Sequence, residues 1–229
     1  MKKLSVSLTQ KETIGGWVYL LLYMFLLPSV LAWLNMLLPA PLAEAQLNYV
    51  YFLVNLLCVA AIGRRFFKAS WSVAVRNPFR TLRVTAIGFL LYYCATWLLG
   101  LLTVAVRPDF VNVNDSSIIS MSREHYLLMG IGTVLLVPPV EEFLYRGLVF
   151  GQLYKHSRIG AYAVSTAVFC AIHVIGYLGS YDLGLLGLCF LQYVPAGVLL
   201  AWVYVKADTI WAPILMHITI NQIGMQTMR

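Results

Sequence analysis

The sequence is poor in charged residues. Only 11% of its 229 residues are Asp, Glu, Lys or Arg, whereas a soluble domain carries about 25%. Hydrophobic residues make up 61% of the chain, and the mean hydropathy is +0.80. These values exclude an ordinary soluble domain and indicate a chain that crosses a membrane several times.

Cysteine is also scarce, and the four cysteines form no recognisable motif. All of them lie in apolar segments without CxxC spacing, at Cys58, Cys94, Cys170 and Cys189. We therefore expect small core residues, with neither disulfides nor a zinc–cysteine site. The sequence also lacks an HExxH motif, an internal repeat, a low-complexity tract and a linker.

Basic residues are concentrated in alternate loops. The net charge of +7 would suggest a nucleic-acid partner in a soluble protein, but here the positive-inside rule explains it, and we expect no nucleic acid. The loops predicted to be cytoplasmic include a basic stretch, 64–83, which is interpreted either as an ordinary cytoplasmic loop or as an amphipathic element on anionic lipid. The asymmetry predicts a cytoplasmic N-terminus and, with seven helices, an external C-terminus.

The apolar segments predict an all-α polytopic membrane protein of about seven transmembrane helices. Residues 1–125 would form N-terminal helices with a basic cytoplasmic loop, and residues 126–229 the remaining helices, in one membrane domain overall. The first apolar segment is too long for a signal peptide, so we expect it to be retained. Polar residues 107–124 predict a loop on the outer face. The predicted helices are 14–38, 47–62, 84–106, 126–153, 159–178, 183–205 and 210–225.

Three charges interrupt the fourth predicted helix. Glu141, Glu142 and Arg146 lie in an otherwise apolar run. Charges at bilayer depth cost at least about 2.5 kcal/mol each and normally face protein or a water-filled pocket. The adjacent Pro138 and Pro139 remove backbone donors, so they should kink or interrupt the helix and expose carbonyl groups near the carboxylates.

The spacing within this motif assigns different tasks to the two glutamates. Glu142 and Arg146 are four residues apart, which favours an ion pair on one helix face. Glu141 points about 100° away and has no partner in its own helix. A desolvated carboxylate beside another is suited to act as a general base, and Glu141 is our candidate. A purely structural Glu–Glu–Arg cluster is the alternative.

Two further pairs have the same spacing on separate helices. Phe169 precedes His173 by four residues, where it either stacks on the imidazole or is simply a core residue. His217 and Asn221 can both donate hydrogen bonds to a developing oxyanion, or they clamp a neighbouring helix. Two histidines and a glutamate could also bind zinc, but the donors lie on three helices and Asn221 is a poor ligand, so we expect no metal cofactor.

In this order, the three motifs resemble the signature of the CPBP family. This family contains the CAAX prenyl endopeptidases and the bacteriocin-processing, or Abi, intramembrane proteases. The similarity covers about residues 126–225. It implies an active site inside a helix bundle, in which Glu141 and His173 activate water while His217 and Asn221 stabilise the oxyanion. Glu142, Arg146 and Phe169 would support these residues.

The resemblance implies a protease that hydrolyses a peptide bond in a membrane-associated peptide or protein. Peptide maturation and bacteriocin self-immunity are the roles that it suggests, at the bacterial plasma membrane, with membrane lipid and a peptide substrate as partners. The alternative is a non-catalytic immunity or scaffold protein that binds a partner through the same polar pocket. A proton-coupled transporter ranks last, because the two halves show no inverted repeat. The sequence leaves the oligomeric state open.

Overall fold

The computed structural model describes residues 4–227, which form helices and, within that range, no β-strand; Leu178 and Tyr181 form one isolated bridge. The predicted all-α class is confirmed. In chain order the helices are α1 Gln10–Met36, α2 Glu44–Ile62, α3 Arg64–Arg76, α4 Pro78–Val106, α5 Val113–Leu153, α6 Arg158–Ile172, α7 Leu183–Ala207 and α8 Trp211–Thr227.

Polar residues at the helix starts account for several of these boundaries. Thr9 forms a capping box with Glu12, and the side chains of Asn112, Ser157 and Asp182 accept backbone N–H groups at the starts of α5, α6 and α7. Each cap satisfies amide donors that have no partner in the first turn. These four helices therefore begin where the sequence supplies a cap.

The chain is a multi-pass membrane protein. Five helices, α1, α2, α4, α5 and α7, have the length and apolarity to cross a membrane. Helices α6 and α8, with 15 and 17 residues, are shorter than the roughly 20 residues that a spanning helix needs. Many large apolar side chains on the spanning helices are exposed, as expected for surfaces that contact lipid.

Two predicted boundaries were wrong. Residues 113–124 are helical rather than loop, because Asn112 caps a helix that continues through a kink at His125 into the motif-bearing segment. Helix α6 ends at Ile172 instead of continuing to residue 178. The apolar run continues past that point, but Gly179 adopts a positive φ of 85° and the chain turns there.

The basic loops meet at one end of the bundle. Five contacts join them there: Ser5 with Asp208, the Phe66 amide with Glu12, Thr209 with the Ser70 carbonyl, Arg80 with the Lys206 carbonyl, and Gln152 with Thr13. This grouping agrees with the alternation of charge along the sequence. The assignment of that end to the cytoplasm stays a prediction.

The basic stretch forms the amphipathic helix α3. Phe66, Ser70 and Ala74 form its buried face, while its basic residues are exposed. This helix lies against the turn before α8, where Trp71 and Trp211 meet edge to face with ring centroids 5.2 Å apart. The structure therefore shows an amphipathic helix rather than an irregular loop.

The second half of α5 is the centre of the bundle. All residues from Glu142 to Phe150 are buried, and this segment is a π-helix. Two other π-helical segments, Leu22–Leu26 and Gly132–Leu136, lie in α1 and earlier in α5. Such segments are uncommon and are frequent at functional sites, because the wider turn displaces side chains from their α-helical positions.

Candidate active site

A cavity of about 840 Å³ opens between the helices, and all four predicted catalytic residues line it. Glu141 comes from α5, His173 follows the last turn of α6, and His217 and Asn221 come from α8. Residues separated by up to 80 positions in sequence are thus brought to one wall. The roles assigned to them remain predictions.

The Glu142–Arg146 pair lies behind this wall. Arg146 Nη1 is 3.0 Å from Glu142 Oε1, and neither side chain is exposed at all. The guanidinium also lies over the Phe169 ring, with Cζ 4.3 Å from the centroid, and Nη2 donates to the Ala196 and Gly197 carbonyls. The ion pair expected from the spacing is therefore present, and it connects α5 to α6 and α7.

His217 contacts both glutamates. Its Nδ1 is 2.8 Å from Glu142 Oε1, and its Nε2 is 3.9 Å from Glu141 Oε2. A carboxylate only accepts hydrogen bonds, so the proton of the short contact lies on Nδ1. Glu142 thus fixes the ring orientation of His217 as well as pairing with Arg146, a task that the spacing alone did not indicate.

Glu141 is the carboxylate without a strong partner. Its side chain is only 8% exposed, and Oε2 makes no hydrogen bond within the described residues. The separation of 3.9 Å from His217 Nε2 exceeds hydrogen-bond length. A buried oxygen of this kind, facing a cavity, can accept a proton from a molecule that enters.

His173 is held at the end of α6. Its Nδ1 is 2.7 Å from the Phe169 carbonyl, so Nδ1 carries the proton and Nε2 is left as an acceptor in the neutral ring. The imidazole stacks on Tyr193, with centroids 4.1 Å apart, and lies 4.7 Å from the Phe169 ring. Phe169 therefore does contact His173, and its centroid is also 6.2 Å from that of His217.

Asn221 is oriented by a free backbone carbonyl. Its Nδ2 donates to the Thr133 carbonyl at 2.8 Å. In an uninterrupted helix that carbonyl would accept from residue 137 or 138, but the Val137 amide bonds to Gly132 and Pro138 has no N–H. The carbonyl freed by the prolines therefore fixes which end of the amide faces α5, and the second N–H of Nδ2 remains available.

Sequence reasoning missed three parts of this site. The Thr133 carbonyl, Tyr193 and Asp115 all line the cavity. The prolines signalled free carbonyls without showing which group would bind them. Asp115 was hidden by its assignment to a loop, and nothing in the sequence distinguishes Tyr193 from a core tyrosine.

Among residues 4–227, no group of three or more His, Cys, Asp and Glu side chains is arranged to hold a metal ion. Glu141 and His217 approach each other, but His173 is turned toward Phe169 and Tyr193. The expectation that the protein uses no metal cofactor remains a prediction.

Fold and site together define a helical multi-pass membrane protein with a buried glutamate–histidine pocket, and part of the chain is similar to a known family. Residues 123–223 match the family model described as "Type II CAAX prenyl endopeptidase Rce1-like". The resemblance drawn from the motifs is therefore confirmed for this part of the chain. No solved structure matches the sequence.

A curated protein is also similar to part of the chain. The protein named "Putative membrane peptidase YdiL" from Bacillus subtilis (strain 168) is 30% identical over 95 residues. The match covers 41% of this chain and 34% of the relative, so it spans about a third of that relative's length.

Proposed function

We propose that this chain is an intramembrane endopeptidase that hydrolyses a peptide bond in a membrane-associated peptide or protein. The observation that carries the proposal is the unpartnered Oε2 of buried Glu141, in one cavity with two histidines and an amide. The family match over residues 123–223 supports the same class of reaction.

Glu141 is the general base in this proposal. A water molecule between Glu141 and His173 gives one proton to the carboxylate while its oxygen attacks the scissile carbonyl carbon. The Nε2 of His173 accepts the second hydrogen of that water and orients it, because Nδ1 is engaged with the Phe169 carbonyl. Glu141 then returns its proton to the leaving amine nitrogen.

His217 and Asn221 stabilise the oxyanion. In this proposal His217 donates to the oxyanion from Nε2 as an imidazolium formed during the reaction, while Nδ1 donates to Glu142. Asn221 contributes the N–H that the Thr133 carbonyl does not use. Donors fixed before the reaction stabilise a developing charge without reorganisation.

The test compares membrane peptides by proteomics in cells that carry the wild-type protein or Glu141→Gln. We expect the cleavage products to disappear in the variant and to persist in Glu124→Gln, a matched change at an exposed glutamate of the same helix. Asn221→Ala should lower the cleavage rate on the order of 100-fold. Normal turnover by Glu141→Gln would exclude Glu141 as the base.

The proposal includes no metal cofactor. Purified protein should therefore keep its activity after prolonged treatment with a chelator and removal of the chelator by dialysis. Lasting inhibition that added zinc reverses would replace the glutamate mechanism with a metal mechanism.

Peptide maturation or bacteriocin self-immunity at the plasma membrane is the biological setting that we propose. A bacteriocin survival assay separates catalysis from binding in this setting. Loss of immunity in Glu141→Gln supports a role for proteolysis, whereas full immunity in a variant without activity would indicate a binding protein.

A further inference from the structure

Acidic side chains line the cavity wall, and its basic side chains are histidines. Glu44, Asp115 and Glu141 line it, and its described lining includes neither lysine nor arginine. Glu142 does not line it, and Arg146 compensates that charge from behind the wall. The cavity is therefore electronegative apart from its two histidines, His173 and His217.

Asp115 has no compensating cation among the described residues. It lies in the first turn of α5, and its Oδ1 is 3.4 Å from the Tyr193 hydroxyl, which donates either to Asp115 or to Asn112 Oδ1 at 3.3 Å. No lysine or arginine among the described residues forms an ion pair with its carboxylate. Arg107 pairs instead with Asp109 and Asp182. The start of a helix favours a carboxylate there, but it does not neutralise a full charge.

Tyr193 connects Asp115 to the candidate active site. Its ring stacks on His173, and its hydroxyl accepts from Asn114 Nδ2 at 3.1 Å while contacting Asp115. Asp115 thus lies one tyrosine side chain beyond His173. Because an extended peptide advances about 3.3 Å per residue, a substrate side chain one or two residues from the scissile bond reaches it.

We propose that Asp115, with Tyr193 and Asn114, forms a subsite for a cationic nitrogen of the substrate peptide, either a lysine or arginine side chain or a free amino terminus. The inference rests on the proposed function and adds the class of substrate. Glu141, whose buried Oε2 is unpartnered in the same cavity, adds to the attraction. A substrate carboxylate at this position is repelled, so the subsite selects by charge.

Binding measurements test this subsite separately from catalysis. The probes are fluorescent apolar peptides with Lys, norleucine or Glu at one position. Each peptide is made with a free and with an acetylated amino terminus. The host is full-length Glu141→Gln protein in nanodiscs of neutral phosphatidylcholine, so that neither cleavage nor anionic lipid contributes. We expect the Lys peptide to bind about 10-fold or more tightly than the norleucine peptide, and the Glu peptide to bind weakest.

Asp115→Asn should reduce the Lys preference to less than about threefold, because the amide still accepts from Tyr193 but carries no charge. Asp109→Asn removes an 81% exposed carboxylate of the preceding loop and should leave the preference unchanged. Tyr193→Phe keeps the Asp115 charge but removes the hydroxyl that orients the carboxylate, so we expect an intermediate preference for the Lys peptide. Thermal unfolding of each variant verifies that it is folded.

If the Lys and norleucine peptides with acetylated termini bind equally, the subsite does not bind a lysine side chain. If tighter binding instead follows the free amino terminus, the cation that the subsite binds is that terminus. Absence of any charge preference, absence of binding, or a preference that survives Asp115→Asn overturns the proposal as a whole. If Glu141→Gln leaves cellular cleavage unchanged while the Lys preference holds, the catalytic mechanism fails and the subsite remains.

Discussion

Replacing Arg146 with methionine tests whether the buried ion pair stabilises the site. Methionine fills much of the same volume but removes the cation from Glu142, which is completely buried. Glu142 would then have His217 as its remaining close partner. The variant therefore separates packing from charge compensation.

The complete burial of this pair sets the expected loss of stability. Breaking a buried pair by removing one partner costs about 3–5 kcal/mol, because the other charge stays desolvated. The guanidinium over the Phe169 ring is a desolvated cation–π contact, worth about 2 kcal/mol, and part of the same loss. We expect Arg146→Met to lower the free energy of unfolding by about 3–5 kcal/mol.

The double variant Glu142→Gln/Arg146→Met is the matched comparison. Glutamine keeps an acceptor for His217 Nδ1 but has no charge, so the double variant should be more stable than Arg146→Met alone by about 2 kcal/mol or more. Unfolding by SDS in mixed micelles, followed by circular dichroism, measures both values.

Two results would refute this reasoning. A loss below about 1 kcal/mol for Arg146→Met would show that the pair adds nothing to stability. A double variant no more stable than Arg146→Met would show that the loss comes from packing and not from the uncompensated Glu142 charge.

The prolines and glycines of the bundle give two further predictions. Pro138→Ala restores a backbone N–H that competes with Asn221 for the carbonyls near Thr133, so kcat should fall by up to about tenfold with little change in KM. An unchanged kcat would show that the hydrogen bond from Asn221 to the Thr133 carbonyl does not contribute to catalysis. Gly88→Ala places a methyl group 2.2 Å from Val203 Cγ2 and should destabilise the protein by about 1–3 kcal/mol in SDS unfolding. Gly100→Ala, on the same helix with nothing within 4 Å, should be neutral or slightly stabilising, and equal effects would contradict the packing argument.

The start of α5 shows where sequence patterns were insufficient. Asn112 and Ser157 are ordinary capping residues, yet the polar stretch after Arg107 was taken for a loop because its composition resembles one. Amino-acid composition shows that this segment is polar, but it does not show whether another helix packs against it and stabilises it as a helix. Val113 supplies that contact in a small apolar cluster with residues of α7, so the segment is helical.

Sequence patterns were enough to predict the membrane-spanning class, the Glu142–Arg146 pair and the four candidate catalytic residues that line the cavity. These follow from local rules, namely the cost of charge in an apolar helix and the four-residue spacing that places side chains on one face. The packing of the helices was needed to show that Glu142 also binds His217, that Asn221 donates to the Thr133 carbonyl, and that Asp115 lines the same cavity. Each of these contacts joins residues at least 75 positions apart, or depends on two helices meeting, and sequence spacing carries no information on such distances.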